Sequence, residues 1–477
     1  MISELCRLSA REAVRRLKRK EIKPDELIDA AAARIAEVEP KVNALPTLCL
    51  DRARESAKRI DALGKTGAAD HPGWLAGLPV AIKDLNDVAG VRTTYGSPIF
   101  TNHVPQTSDI MVETMEARGA VVIAKSNTPE FGAGANTFNE VFGKTLNPWN
   151  TALTCGGSSG GAAVALATGE AWLASGSDLG GSLRTPASFC SVVGLRPTPG
   201  RVAHGPKPHI FDAMSVDGPM GRDVRDTALM LDAMAGVHPR DPISLEYPAQ
   251  SFQDAVAQFK PVTRVGFSAD LGVTPVAREI REICAAAAKR FADTGAKVEE
   301  ATPDLKDAHF VFQTLRAFKF ATDRSKLLAD HRDKLKPDVI WNIEQGQKLD
   351  AGVIGRAEHA RGAMCRNLAR YFESHDILAC PAAIVPPFDV NTRYIAEVEG
   401  HTFENYIDWV MITYAITVTG YPAISVPCGF TKDGRPVGLQ LVAPPRGEAR
   451  LLAAAAQLED VLGLAGKVPI DPRPGTP

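Results

Sequence analysis

Three stretches of this chain set chemically capable side chains beside backbone that can approach a substrate. Lys83 ends the apolar run Leu78-Pro79-Val80-Ala81-Ile82; Gly156-Gly157-Ser158-Ser159-Gly160-Gly161 follows; Gly176-Ser177-Asp178-Leu179-Gly180-Gly181-Ser182-Leu183-Arg184 comes third. Singly, each has an ordinary explanation, since a lysine ending a strand points its amine to solvent and Gly/Ser strings make turns. Together they describe acyl transfer. A serine hydroxyl is a weak nucleophile at neutral pH and needs a base against it. Lysine is a base only when neutral, and an apolar wall such as the run before Lys83 lowers its pKa. The charge that develops on the carbonyl oxygen is stabilised by about 2.7–4 kcal/mol per well-aimed donor. Gly180 and Gly181 beside Ser182 would let backbone N–H groups come that close. This chemistry requires no metal and no cofactor, and the sequence contains no HExxH or paired histidine ligands.

These residues have to be positioned by something larger. From Pro24, apolar residues recur at Ile28, Ala31, Ile35 and Val38, one face of a helix, so the first 65 or so residues are expected to be a helical arm. After His71-Pro72-Gly73 the pattern becomes short apolar runs at 78–82 and 120–124, suited to buried strands. Eleven of the 40 glycines fall within residues 156–205, far above an even spread, so backbone performs a task there. A strand, helix, strand rhythm follows over 263–299, then a mostly helical stretch from about 300 to 375 with no recognisable motif. Strand texture returns at 378–380, 423–426 and 437–442, before a closing helix stopped by Gly463. No repeat and no linker interrupts this, which predicts one large α/β domain: a mixed, twisted β-sheet layered by helices. Its expected parts are a core over about 70–235, a more variable region over about 240–375, and a C-terminal part of the core over about 376–465.

Composition narrows the partners. With 477 residues, 45% hydrophobic and 23% charged, the chain can bury a large core, and 54 basic against 56 acidic residues leave a net charge of −2. No overall field would gather nucleic acid or an anionic membrane, so a small-molecule partner is expected. Eight cysteines without a CxxC pair suit a reducing cytoplasm, and the N-terminus lacks the apolar core of a secretory signal. The uncharged stretches 145–169 and 409–431 contain too much Gly, Ser, Pro and Thr for lipid-facing helices and are expected in the protein core.

Lys83, the GGSSGG string and the run from Gly176 through Arg184 to Gly194-Leu195-Arg196-Pro197-Thr198 resemble the amidase signature family. The likeness continues through Asp217-Gly218-Pro219-Met220, Gly420-Tyr421-Pro422-Ala423-Ile424-Ser425-Val426-Pro427 and Gly438-Leu439-Gln440-Leu441-Val442, weakest between 240 and 375. The resemblance implies Ser182 as the acylated nucleophile, Ser158 as a bridging serine on a cis peptide and Lys83 as the base. It also implies an oxyanion hole from the N–H groups of Leu179, Gly180, Gly181 and Ser182. Asp178 and Arg184 match positions of structural support, and Gly132, Ala133, Gly134 and Asn136 match a loop beside the acyl pocket. Cys155 and Ala162 depart from the family's usual Pro and Ser, which touches loop packing rather than chemistry. Homodimers are common in the family and are an expectation here.

Other patterns compete for the same residues. Gly157-Ser158-Ser159-Gly160-Gly161 also fits a G-x-S-x-G nucleophile elbow centred on Ser159, with Asp376 and His401 as the only kind of partners it could find. Phe142-Gly143-Lys144-Thr145 resembles the end of a phosphate loop, but Phe138 stands where its first glycine belongs. The same triad also serves the glutaminase subunit of tRNA-dependent amidotransferases, although Asn405-Tyr406-Ile407-Asp408-Trp409 lacks a recognisable form of that subunit's acidic glutamine-reading pattern. For the substrate, Phe138, Trp409, Met411 and Tyr414 are candidate pocket walls, and no Arg or Lys pair presents itself as a carboxylate clamp. Neutral aryl or alkyl amides, amide oligomers and carbamates are therefore the expected substrate classes.

Overall fold

The computed structural model describes residues 2–258 and 260–475. Its centre is an 11-stranded sheet. In chain order the strands are β1 (Thr47–Leu48), β2 (Pro79–Lys83), β3 (Val121–Ser126), β4 (Leu173–Asp178), β5 (Val193–Arg196), β6 (Val216–Gly221), β7 (Arg264–Phe267), β8 (Lys297–Glu300), β9 (Ile377–Pro381), β10 (Ala423–Phe430) and β11 (Pro436–Val442). Across the sheet they run β1-β3-β2-β4-β6-β5-β10-β11-β9-β7-β8. Strand β2 is parallel to both β3 and β4, and β7 is parallel to β8 and β9. Pairs from β4 through β6, β5, β10 and β11 to β9 are antiparallel, which makes the sheet mixed as expected.

All five residues of β2 are buried, because the strand has neighbours on both edges and helices on both faces. The parallel register pairs Val80 with Leu173 and Ala81 with Ala174, so the C-terminal ends of β2 and β4 emerge at one edge of the sheet. Lys83 ends the first and Asp178 the second. Sequence texture locates β2, β3 and β7–β11 but not β4, β5 and β6. Leu-Ala-Ser-Gly-Ser-Asp in β4 has almost none of the β-branched content that marks a strand, and only its two-sided pairing makes it one.

The helix Pro24–Val42 buries Leu27, Ile28, Ala31, Ile35 and Val38, opens on Pro24, and stops where Asn43 turns left-handed at φ +53°. The uncharged 145–169 and 409–431 stretches lie in the core, including every residue of the helices Gly160–Thr168 and Met411–Thr417. Residues 300–375 form three long helices, Ala308–His331, Pro337–Gln347 and Ala351–Tyr371. Among the described residues, no helix is long and apolar enough to cross a membrane.

Candidate active site

Lys83 is fully buried, and its Nζ lies 2.7 Å from Ser158 Oγ, 2.9 Å from Ser159 Oγ and 3.0 Å from Ser177 Oγ. Burial pushes its pKa down to about 7, against the opposing pull of Asp217 and Asp178. The strand end therefore turns the amine inward. Ser158 and Ser159 immediately precede the helix Gly160–Thr168, and the Gly157–Ser158 peptide bond is cis. Ser159 Oγ also donates to the carbonyl of Ser177 at 3.3 Å. With its proton directed there, Ser159 accepts from the Lys83 amine, and the lone pair of a neutral amine is left for the hydroxyl of Ser158.

Ser182 stands just before the helix Arg184–Cys190, and it and Ser158 line one cavity of about 320 Å³ together with Ser177, Leu179 and Gly132. Gly132 needs to be small: at φ +69° a Cβ there would sit 3.0 Å from Leu85 Cδ1 and 3.4 Å from Ser158 Oγ. The lining also includes the aromatic Tyr95, Phe100, Phe131 and Phe320 and the polar Asn86, His204 and Asp217. His204 Nδ1 lies 2.5 Å from Asp217 Oδ2, and Asn86 Nδ2 donates to Asp109 Oδ2 at 3.1 Å. Burial and the neighbouring Asp217 push the Asp109 carboxyl up to about 7.

The loop carrying Ser182 is braced from below. Asp178, fully buried, accepts from Gly181 N at 2.9 Å, Leu183 N at 3.2 Å and Arg184 Nε at 3.0 Å, and Arg196 Nη1 stands 3.4 Å from its Oδ1. Burial alone would raise its pKa, but the Arg184 and Arg196 guanidinium groups outweigh burial and hold the carboxyl well below the usual carboxylate range. Arg184 extends the brace to the Thr413 carbonyl at 2.9 Å and Thr417 Oγ1 at 2.8 Å. Asp178→Asn would leave two buried cations without their counter-charge, so it should cost about 3–5 kcal/mol of stability, read as a lowered denaturation midpoint. Gly181 itself has φ +120°, and a Cβ there would come within 2.2 Å of Thr413 Oγ1, so only glycine fits.

Several expected site residues are placed elsewhere. The N–H of Gly181 is directed at Asp178, which leaves Leu179, Gly180 and Ser182 of the four expected oxyanion donors. Ala133 is buried among Phe320, Leu335, Val339 and Ile343 and does not line the cavity. Asn136 is a loop clamp, donating to the Arg393 carbonyl at 2.8 Å and accepting from Thr154 Oγ1 at 2.9 Å. Gly134 lines only a recess of about 20 Å³ behind Ser182. Trp409 and Tyr414 are core residues, Trp409 packing on Phe388 and Tyr414 stacking on Phe312 at 4.0 Å. Neither they nor Phe138 nor Met411 line the cavity. The elbow centred on Ser159 has no triad: Asp376 accepts the N–H groups of Thr263 and Arg264, and His401 packs on Phe403 in a separate hairpin. Cys155 and Ala162 are both fully buried. Ser159 and Ser177, inside strings already singled out, are the contacts of Lys83 that the sequence left without a task.

Comparison with known proteins agrees with this layout. The family profile described as Amidase matches residues 26–452. The chain belongs to the amidase signature family. A Rhodococcus erythropolis acylamidase is 34% identical over 97% of both chains. A glutamyl-tRNA(Gln) amidotransferase subunit from Geotalea daltonii is 32% identical over 96% of this chain and 97% of its own. The crystal structure of a bacterial aryl acylamidase of the amidase signature family superposes with a TM-score of 0.88 at 28% identity, covering 98% of this chain and 100% of the other. This amidase signature protein is accordingly a hydrolase of amide C–N bonds on the family's single-domain mixed-sheet fold.

Proposed function

We propose that this chain is a free-standing amidase that cleaves small aryl or alkyl amides through an acyl-enzyme on Ser182. The observation that carries this is the buried Lys83 amine held 2.7 Å from Ser158 Oγ beside the cavity that Ser182 also lines. Ser182 Oγ attacks the carbonyl carbon while its proton passes to Ser158 and the proton of Ser158 passes to Lys83 Nζ. The oxyanion rests against the N–H groups of Leu179, Gly180 and Ser182. On collapse the C–N bond breaks, and the leaving nitrogen takes the proton back along the same path. Water then attacks the ester and repeats the sequence. A carbamate presents the same planar carbonyl and nitrogen leaving group and would be cleaved by the same steps.

The aromatic cavity wall and the likeness to an acylamidase and an aryl acylamidase support the acyl and aryl side of this assignment. The likeness to an amidotransferase component supports a second reading, a glutaminase working with partner chains. Against it, the carboxylate of Asp408 is occupied by Gln313 Nε2 at 2.6 Å and Asn405 Nδ2 at 3.0 Å, and it does not line the cavity. Turnover of a simple anilide by the purified single chain separates the two. The residue assignment is tested by a fluorophosphonate probe followed by peptide mapping: the adduct should sit on Ser182, and an adduct on Ser159 or none at all would contradict it. Eight cysteines without a CxxC pair support a reducing, cytoplasmic setting. A homodimer follows from the family habit alone.

A further inference from the structure

The far wall of the cavity plays no part in the relay, and it is cationic. Lys207 reaches it from the loop before β6, and Lys319 and Arg324 reach it from the helix Ala308–His331. Lys319 is neutralised, with Nζ 2.8 Å from Asp212 Oδ2 and 2.9 Å from Asp323 Oδ2. That occupies both nearby carboxylates. Among the described residues, the Arg324 guanidinium makes one hydrogen bond, from Nη1 to Asp323 Oδ2 at 3.4 Å. Lys207 Nζ makes one contact, with the carbonyl of Asp212 at 3.3 Å, and none of the described carboxylates lies within ion-pair distance of it. At ion-pair distance these three cations have two carboxylates between them, Asp323 being shared by Lys319 and Arg324, and Glu130 acts on Arg324 from farther away. His204 and Asp217, also in the cavity lining, pair with each other.

Arg324 is also held in a receptive orientation. Its guanidinium carbon lies 5.1 Å from the ring centre of Phe131 and 4.9 Å from that of Phe320. A guanidinium resting on aromatic faces keeps its in-plane N–H groups free for a planar, bidentate acceptor. Phe131 is the residue before Gly132, which leaves room for Ser158, so the cation stands across one aromatic ring from the relay.

We propose that Arg324, assisted by Lys207, forms an anion subsite in this cavity, so that the substrates are amides carrying a carboxylate remote from the scissile bond. This rests on the amidase reading above and replaces the neutral amides expected from the sequence. A carboxylate there would gain charge-assisted hydrogen bonds, whereas an apolar substituent would cover guanidinium N–H groups that Asp323 does not take up and leave them without an acceptor.

Two matched pairs test this on either side of the scissile bond: N-succinyl against N-butanoyl p-nitroanilide, and p-acetamidobenzoate against p-acetamidotoluene. In at least one pair, kcat/KM should favour the carboxylate by about tenfold or more, the size of a charge-assisted hydrogen bond, and added salt should shrink the preference. Arg324→Gln should bring the ratio toward one, Arg324→Lys should keep part of it, and Lys207→Gln should lower it. If Arg324→Gln does not fold, the wild-type ratio and Lys207→Gln decide. A ratio at or below one in both pairs, or a ratio indifferent to the substitutions, overturns the subsite. A wild-type chain that takes no fluorophosphonate on Ser182 fails the amidase reading itself. One that takes the label and shows no charge preference, whether it cleaves both members of each pair or neither, fails the anion subsite alone.

Discussion

Ser182→Ala should lower kcat/KM for an anilide by about 10⁴-fold or more while the protein stays folded, because the substitution removes the atom that forms the acyl bond in the proposed mechanism. Ser182 is half-buried at the cavity wall, and the brace below it is built from Asp178, Arg184 and Arg196 rather than from its own hydroxyl. The fold should therefore tolerate the loss of one oxygen, with a melting temperature close to that of the wild type. Activity retained in Ser182→Ala together with a fluorophosphonate adduct elsewhere would show that another hydroxyl attacks. Ser159→Ala offers a contrast. Its hydroxyl accepts from Lys83 and donates to the Ser177 carbonyl, so losing it should weaken the positioning of the amine and lower the rate far less.

The second large effect is on pH dependence. A base whose pKa is pushed down to about 7 by burial must be deprotonated to act, so kcat/KM should climb through that region and level off above it. An optimum near pH 5 would contradict a neutral lysine. Asp109, also pushed up to about 7, titrates in the same range, but it contacts Asn86 rather than the serines, so Asp109→Asn should leave the ascending limb in place. Stability carries an independent signature of the same burial. Lys83 keeps a pKa of about 7 in the fold against an ordinary 10.5, so between these values the unfolded chain binds a proton that the native one does not. Stability from this residue is therefore full above 10.5, falls as the pH drops toward 7, and falls no further below it. Measured against Lys83→Met, which removes the titration, the wild type should gain on the order of a few kcal/mol in relative stability as pH rises through this window. Equal pH dependence of the two proteins would mean that the amine is charged in the fold. Lys83→Met should also lose activity to an extent comparable with Ser182→Ala.

How much of this was written in the chain differs from place to place. Strands β2, β3 and β9 to β11 are legible because short apolar runs have few other outcomes in a large core, and β7 and β8 because they flank a clear helical pattern in a strand, helix, strand rhythm. Strand β4 is not, since Leu-Ala-Ser-Gly-Ser-Asp carries no such pattern, and its role depends on the neighbours β2 and β6 that pair with it. Most of the pocket wall escapes the sequence for a related reason. Trp409, Tyr414, Ala133 and Asn136 lie near the right segments in sequence, but which face of a loop or helix meets a cavity is set by packing. Packing turned Tyr414 onto Phe312 and Asn136 toward the Arg393 carbonyl.

The sequence by itself determined the family and the sheet-and-helix architecture and singled out Lys83, Ser158 and Ser182 as the triad proposed here, because these rest on local strings. Only the tertiary structure decided the enclosure of the Lys83 amine, the direction of Gly181's N–H and the gathering of cations in the cavity wall. Each of these depends on groups from remote parts of the chain: three hydroxyls and an apolar enclosure around one amine, Asp178 between Arg184 and Arg196, and Lys207 facing the helix that carries Lys319 and Arg324. Desolvation and Coulomb interaction act through space, over a few ångströms that separation along the chain does not record.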